Sequence, residues 1–376
     1  MRRHVISILT IGALLLSSLA APGRADILYV GHVSGGTVEK FSSTGSDLGT
    51  FANAPKPGAA ANGLAFDSNG NLYVAYPNIT TNLIKYSSTG TLLFSLATGL
   101  VYAQGVAVDH AGIVFVGDAS ANKIEKFSSA GSDLGTFASS GLSGPRGMAF
   151  DTAGNLYVVN SGNSTVEKFS PTGTDLGVFA GSPLNGPFAL AFDAAGNLYV
   201  SNGGSWDIDK FSSTGTFLGV FAHGNIFNSG GMGVPGGLAF DSAGNLYVAN
   251  SNSSIEKFTP TGTDLGHFIV DANSPQFLAF TDDAGNPLLL PPLTAPAIVA
   301  IAREGDDIRL TWTTAANKTN FVQATLGGPG GAYSNNFADI SVPLIVSGAG
   351  QVTTDYLDAG AATNSPSRYY RIRLLP

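Results

Sequence analysis

The chain contains no cysteine, two tryptophans, three methionines and five histidines in 376 residues, and only 12% of its side chains are charged. Without cysteine there is no disulfide, no thiol nucleophile and no thiolate metal site, so stability must come from packing. Four histidines lie beyond the first 25 residues, at His32, His110, His223 and His267, scattered rather than grouped as a zinc centre requires. Basic residues are scarce, with 18 Lys and Arg against 26 Asp and Glu and a formal charge of −8. No run of Lys or Arg offsets that balance, which excludes the footprint that nucleic acid or an anionic membrane needs. The Gly-x-Ser-x-Gly nucleophile turn is also missing.

Glycine, by contrast, is abundant, at 49 residues, as expected for many short strands joined by tight turns. The N-terminal stretch MRRHVISILTIGALLLSSLAAPGRAD has a basic end, an apolar run from Val5 to Leu19 and small residues before Asp26. It reads as a secretory signal peptide over 1–25. The competing reading, a retained anchor, needs about 20 apolar residues, and this run is shorter. Cleavage after Ala25 removes Arg2, Arg3 and Arg24, so 18 basic residues fall to 15 against 26 acidic, a formal charge of −11. The expected product is acidic and secreted or periplasmic, with no membrane insertion after signal removal.

The dominant internal feature is a repeat. GNLYV occurs at 70–74, 154–158, 196–200 and 244–248, each time three residues after an Asp. The apolar strand before that Asp begins at Gly63, Gly105, Gly147, Ala189, Gly237 and Phe277, with spacings of 42, 42, 42, 48 and 40. A period near 40 without helical periodicity predicts propeller blades of four strands. In the unit at Gly147 these are GMAF, NLYVV, TVEKF and DLGVF, separated by turn chemistry. The N-terminal piece from Ile27 lacks a first strand, and the piece near Phe280 supplies one without successors. The expected fold is therefore all-β, a six-bladed β-propeller closed by a split blade.

The motif AFDxxGNLYVxN resembles the blade core of NHL repeats, over 26–287, within the TolB-like and gluconolactonase-like propellers. That resemblance implies a fold shared by binding proteins, a peptide-amidating lyase and lactonases of the senescence-marker (SMP-30) type, so it leaves function open. A Pro-rich linker, LLLPPLTAPA, occupies 288–297. Beyond it, 298–376 alternates strand candidates with Trp312 early and Tyr369 and Tyr370 late. This resembles a fibronectin type III-like β-sandwich, of the kind used as spacers or adhesive modules.

Positions that recur in most blades serve the scaffold, whereas a single site must use positions where blades differ. Asp67, Asp109, Asp151, Asp193 and Asp241 read as turn residues rather than calcium ligands, because a strand follows at once where a calcium loop would continue. Glu39-Lys40, Glu125-Lys126, Glu167-Lys168, Asp209-Lys210 and Glu256-Lys257 point to opposite strand faces, so their partners belong on the next strand or blade. The varying positions form two expected rings at the propeller mouth. One, before each first strand, is Asn62, Gln104, Arg146, Phe188, Gly236 and Gln276; the other, past each second strand, is His32, Tyr76, Asp118, Asn160, Asn202 and Asn250.

The lactonase resemblance implies a divalent ion held at the mouth by a Glu, two Asn and an Asp. Asn62, in ANGLAFD, matches one such ligand, but the first ring holds no carboxylate and includes Arg146, which would repel a cation. Asp118 with Asn160 and Asn202 leaves a weaker oxygen site conceivable. The long connection Ala222–Gly236 accompanies Trp206 and Phe188, which with Phe227 form an expected aromatic shelf for a sugar or peptide; the alternative is that Trp206 packs as a satellite core. Arg146 either holds a ligand carboxylate or caps loop carbonyls. The resulting expectation is an exported non-catalytic binding protein, without metal or cofactor, presenting the mouth to a glycan, peptide or protein. The alternatives are a metal-dependent lactonase-like hydrolase or lyase, and a purely structural surface protein.

Overall fold

The computed structural model describes residues 26–56, 58–77, 79, 82–96, 98–224, 234–251, 253–270, 273–283, 287–288, 297–304, 307–315, 319–326, 338–339, 344–345, 351–358 and 368–374. The expected signal segment, most of the Pro-rich linker and Phe227 lie outside them. Through Thr281 the chain builds six four-stranded antiparallel sheets. Blade 1 is split: Pro275–Thr281 pairs with Ile27–His32, followed outward by Val38–Phe41 and Asp47–Ala52. The closing register runs from Ile27 opposite Thr281 to His32 opposite Pro275. Asp26 adds a clasp, its carboxylate accepting both the Ser242 amide and hydroxyl at 2.7 Å. Blades 2 to 6 begin at Gly63, Ala103, Pro145, Pro187 and Pro235, each strand pairing with the next.

The first strands lie innermost and touch their neighbours all the way round, blade 1 included. This contact explains the Gly that opens GLAFD. A Cβ at Gly105 would stand 1.8 Å from the Arg146 carbonyl oxygen, one at Gly63 2.2 Å from that of Gln104, and one at Gly237 2.5 Å from that of Gln276. Backbone approaches this close admit no side chain.

Blades are joined by aromatic edges. The ring on each second strand meets a Phe on the fourth strand of its own blade and a Phe on the first strand of the next. Tyr157 lies 4.8 Å from Phe179 and 4.9 Å from Phe192. Tyr199 repeats this with Phe221 and Phe240, and Tyr247 with Phe268 and Phe280. Tyr29 carries the pattern across the closure to Phe66, and Phe115 carries it to Phe150. Each such pair contributes about 0.5–1.5 kcal/mol beyond its buried area. One step differs: blade 3 has Val108 where the others place Phe, so Tyr73 has no ring from the next blade.

The turn after each first strand is the scaffold element the sequence suggests. Asp151 Oδ1 accepts the amides of Ala153 and Asn155, while Oδ2 accepts Asn155 Nδ2 at 2.7 Å and the Tyr157 hydroxyl at 3.2 Å. Gly154 takes a φ of 81° to close that turn. Lys168 completes the cluster, 3.8 Å from Asp151 and 4.9 Å above the Tyr157 ring. The same ion pair and ring contact join Lys210 to Asp193 and Tyr199, and Lys257 to Asp241 and Tyr247. In blades 4, 5 and 6 the recurring Lys therefore pairs with the turn Asp of its own blade and stacks on the neighbouring strand.

Beyond the propeller, Ala297–Glu304, Asp307–Ala315 and Gln351–Asp358 form one antiparallel sheet. Thr319–Leu326 pairs with Ala338–Asp339, Leu344–Ile345 and Arg368–Leu374 in another. Trp312 falls on the first of these sheets and Tyr369 and Tyr370 on the second.

Gly105→Ala is expected to destabilise the propeller by at least about 2 kcal/mol, because the clash is with backbone that cannot rotate away. Urea unfolding measures it, and an unchanged midpoint would contradict the tight packing of first strands.

Candidate functional site

Antiparallel blades place the fourth-to-first and second-to-third connections at one end of the channel, which is the mouth. The first expected ring sits there, at the start of the innermost strands. Asn62 and Gln104 are buried, with 6% and 4% exposure, while Arg146, Phe188, Gly236 and Gln276 are half-buried. Three of these side chains share an unusual state: Asn62 Oδ1, Gln104 Oε1 and Gln276 Oε1 are buried and accept no hydrogen bond. They come from three consecutive blades, 2, 3 and 1. Asn62 and Gln276 line a cavity of about 400 Å³ with Lys56, Ala60, Ile79 and Tyr102. An unpaired buried acceptor costs about 1–3 kcal/mol, so three at one end of the channel mark a place where donors are wanted.

The other side of the ring is cationic and aromatic. The Arg146 guanidinium lies 5.1 Å from the Phe188 ring centroid. Phe188 in turn lies 5.4 Å from Phe277 of blade 1, across blade 6, whose Gly236 and Gly237 leave room for the two rings to meet. Phe277 stands where the other blades carry Gly or Ala, and it borders the small cavity of about 80 Å³ at mid-channel.

The second expected ring does not face the mouth. His32, Tyr76, Asp118, Asn160, Asn202 and Asn250 are all fully buried. In blades 3, 4 and 5 their polar groups hold the incoming loop of their own blade. Asp118 Oδ2 accepts the Val101 amide, Asn160 Oδ1 the Ser143 amide and Asn202 Oδ1 the Asn185 amide, each 17 residues earlier. Asp118 Oδ1 also accepts the amides of Tyr102, Ser120 and Ala121. With four N–H donors on one carboxylate, Asp118 is a loop clamp. Tyr76 donates to the Gly36 carbonyl, and His32 Nδ1 meets Thr37 Oγ1 at 3.3 Å. The residue 17 before Asn250 is 233, outside the described residues. Asp and Asn at this position hold the same loop by equivalent bonds in blades 3, 4 and 5, whereas Asn250 Oδ1 accepts no hydrogen bond among the described residues.

Trp206 is half-buried in the second-to-third turn of blade 5 at a φ of 63°, the backbone state of Asn122 and Ser164 in the turns before it. Among the described residues no ring pair joins Trp206 to Phe188, which meets Phe277 instead; Phe227, the third member of the expected shelf, lies outside them. His110 lies in a turn at the opposite end, and His267 on an outer strand, where its Nδ1 pairs with buried Glu256 at 2.5 Å. No group of three or more His, Asp or Glu that could hold a metal occurs among the described residues.

Two acids on the third strands, Glu167 and Asp209, are buried close to a second acid. Burial, reinforced by Asp175, pushes the Glu167 carboxyl up to about 7. Burial and then Asp207 push Asp209 up to about 6.

No protein-family model matches the chain, and no curated protein sequence does. Solved structures do. A chain of the nidogen/laminin complex superposes with a TM-score of 0.58 at 20% identity, over 68% of this chain and 98% of that one. The likeness is one of fold, with this chain's six-bladed β-propeller. A protein of unknown function from Bacteroides caccae gives 0.55 at 16%, over 68% and 98%. A gluconolactonase from Xanthomonas campestris gives 0.50 at 17%, over 67% and 92%. Binding and lactonase neighbours thus share the architecture, which decides neither function.

Two measurements test the assignments. Asp118→Ala is expected to cost about 3 kcal/mol in urea unfolding, since four amides lose their acceptor. Glu167 protonates more readily folded than unfolded, so it adds stability below its ordinary value of 4.5 that is lost as pH rises through about 7. Glu167→Gln should therefore raise the melting temperature at pH 8 and leave it nearly unchanged at pH 4; an equal effect at both would refute the shift.

Proposed function

We propose that the protein is an exported, non-catalytic binding protein whose propeller mouth receives a ligand rich in hydrogen-bond donors, with a glycan preferred over a peptide or protein. The observation that carries this reading is the set of unpaired buried oxygens of Asn62, Gln104 and Gln276. Sugar hydroxyls would supply the missing donors, and the Phe188 face beside Arg146 suits a sugar ring or a ligand carboxylate. Residues 1–25 act as the export signal, 26–287 as the binding propeller, 288–297 as a linker and 298–376 as a fibronectin type III-like spacer or second contact.

The second reading, a metal-dependent lactonase-like hydrolase or lyase, draws on the same three oxygens, since carboxamides are also hard ligands. It is the weaker one. A divalent ion needs anionic ligands, and the Asp118 carboxylate is committed to four backbone amides.

Asn62→Leu with Gln276→Leu is expected to weaken binding to a hit from a glycan array by at least about tenfold, while removal of unpaired acceptors leaves the melting temperature equal or higher. Calorimetric titration and thermal melts measure both. Stoichiometric calcium in the purified protein, lost in Asn62→Ala, would overturn the binding reading in favour of the hydrolase.

A further inference from the structure

A cavity larger than the one at the mouth lies at the opposite end of the channel, where the first-to-second turns converge, and holds about 490 Å³. Its wall is apolar, built from Leu64, Val106, Met148 and Leu190 on four consecutive first strands, with Phe240 and Phe280 completing the circle. Its ionisable lining consists of Asp109, His110, Asp151 and Asp241, with neither Lys nor Arg. The cavity is thus an apolar funnel with a negative rim.

The rim aspartates are not equivalent. Asp151 and Asp241 are each engaged by an Asn amide, a Tyr hydroxyl and a Lys. Blade 3 replaces that Asn with Ile113 and that Tyr with Phe115. Asp109 Oδ1 still caps its turn, accepting the amides of Ala111 and Ile113, but no such Asn, Tyr or Lys partner engages its Oδ2. Lys126, the local counterpart of Lys168, lies 5.9 Å from the Phe137 ring without bridging to Asp109. The same blade carries Val108 in place of the Phe found elsewhere, which thins the wall beside the free carboxylate oxygen.

We propose that this end of the channel is a second binding site, taking an apolar small molecule that bears an ammonium group, with its body in the funnel and its charge on Asp109. Apolar area supplies the affinity, and the unpaired carboxylate selects cation over anion. The site is independent of the mouth, because it shares no lining residue with it.

The test is calorimetric titration of the full protein at pH 7 with octylammonium, octanoate and octanol. Octylammonium is expected to bind at least about tenfold more tightly than octanoate, with octanol between them. Asp109→Asn keeps the turn-capping oxygen and should bring the three probes close together. Ala191→Phe, which fills the funnel from blade 5, should abolish binding of all three. The proposal is overturned if no probe binds, as would follow if the chain beyond Leu288 occupies the funnel. It is equally overturned if octanoate matches octylammonium, if Asp109→Asn leaves the preference intact, or if a folded Ala191→Phe protein still binds.

Discussion

The edge-to-face contact between the second-strand ring of one blade and the first-strand Phe of the next is the interaction on which the ring depends. A four-stranded blade buries little by itself, and its stability comes from packing its face on a neighbour. Tyr29, Phe115, Tyr157, Tyr199 and Tyr247 each supply that packing, at centroid distances of 4.8 to 5.0 Å to Phe66, Phe150, Phe192, Phe240 and Phe280. Two of these five contacts meet on blade 1, whose first strand comes from one end of the propeller and whose second comes from the other. The circle therefore closes only when both ends of the propeller are in place. The Tyr73 step, with Val108 opposite, is the one interruption, and it falls beside the free carboxylate of Asp109.

The same rings explain how so few charges are used. Each complete turn cluster ties an Asp to an Asn, a Tyr and a Lys, and the Lys lies over the ring that joins the blades. The cation is thereby shared between an ion pair and a π face, so its burial is compensated twice. Third-strand acids have no such compensation everywhere, and Glu167 and Asp209 hold their protons to unusually high pH for that reason. The polar groups that vary between blades, such as Asp118 and Asn160, spend their bonds on loops.

Close approach of the first strands divides the channel. Where Gly63, Gly105, Gly147 and Gly237 bring backbones together, only a small cavity remains, and Phe277 reaches Phe188 over the glycines of blade 6. What lies at the two ends is chemically opposite. One presents carboxamide oxygens without donors beside an arginine, and the other presents apolar side chains under a carboxylate rim. One scaffold thus offers two environments with no shared side chain.

The sequence by itself determined the period, the strand and turn chemistry of each blade, the split closure and the scaffold role of the Asp-x-x-Gly-Asn turn. These follow from local rules: alternation sets strands, Asp and Gly set turns, and recurrence every 42 residues repeats them. The first ring was legible too, because the start of an innermost strand has one location in a closed propeller. Tertiary structure alone decided the rest. A polar residue at the end of a second strand meets either solvent or a loop amide, and only the path of the loop 17 residues earlier shows which. Likewise Leu64, Val106, Met148 and Leu190 read as ordinary core, since a sequence cannot tell whether side chains converging from several blades meet or leave a space. That depends on how far apart the backbones stand, and the glycines fix that distance only once the ring has closed.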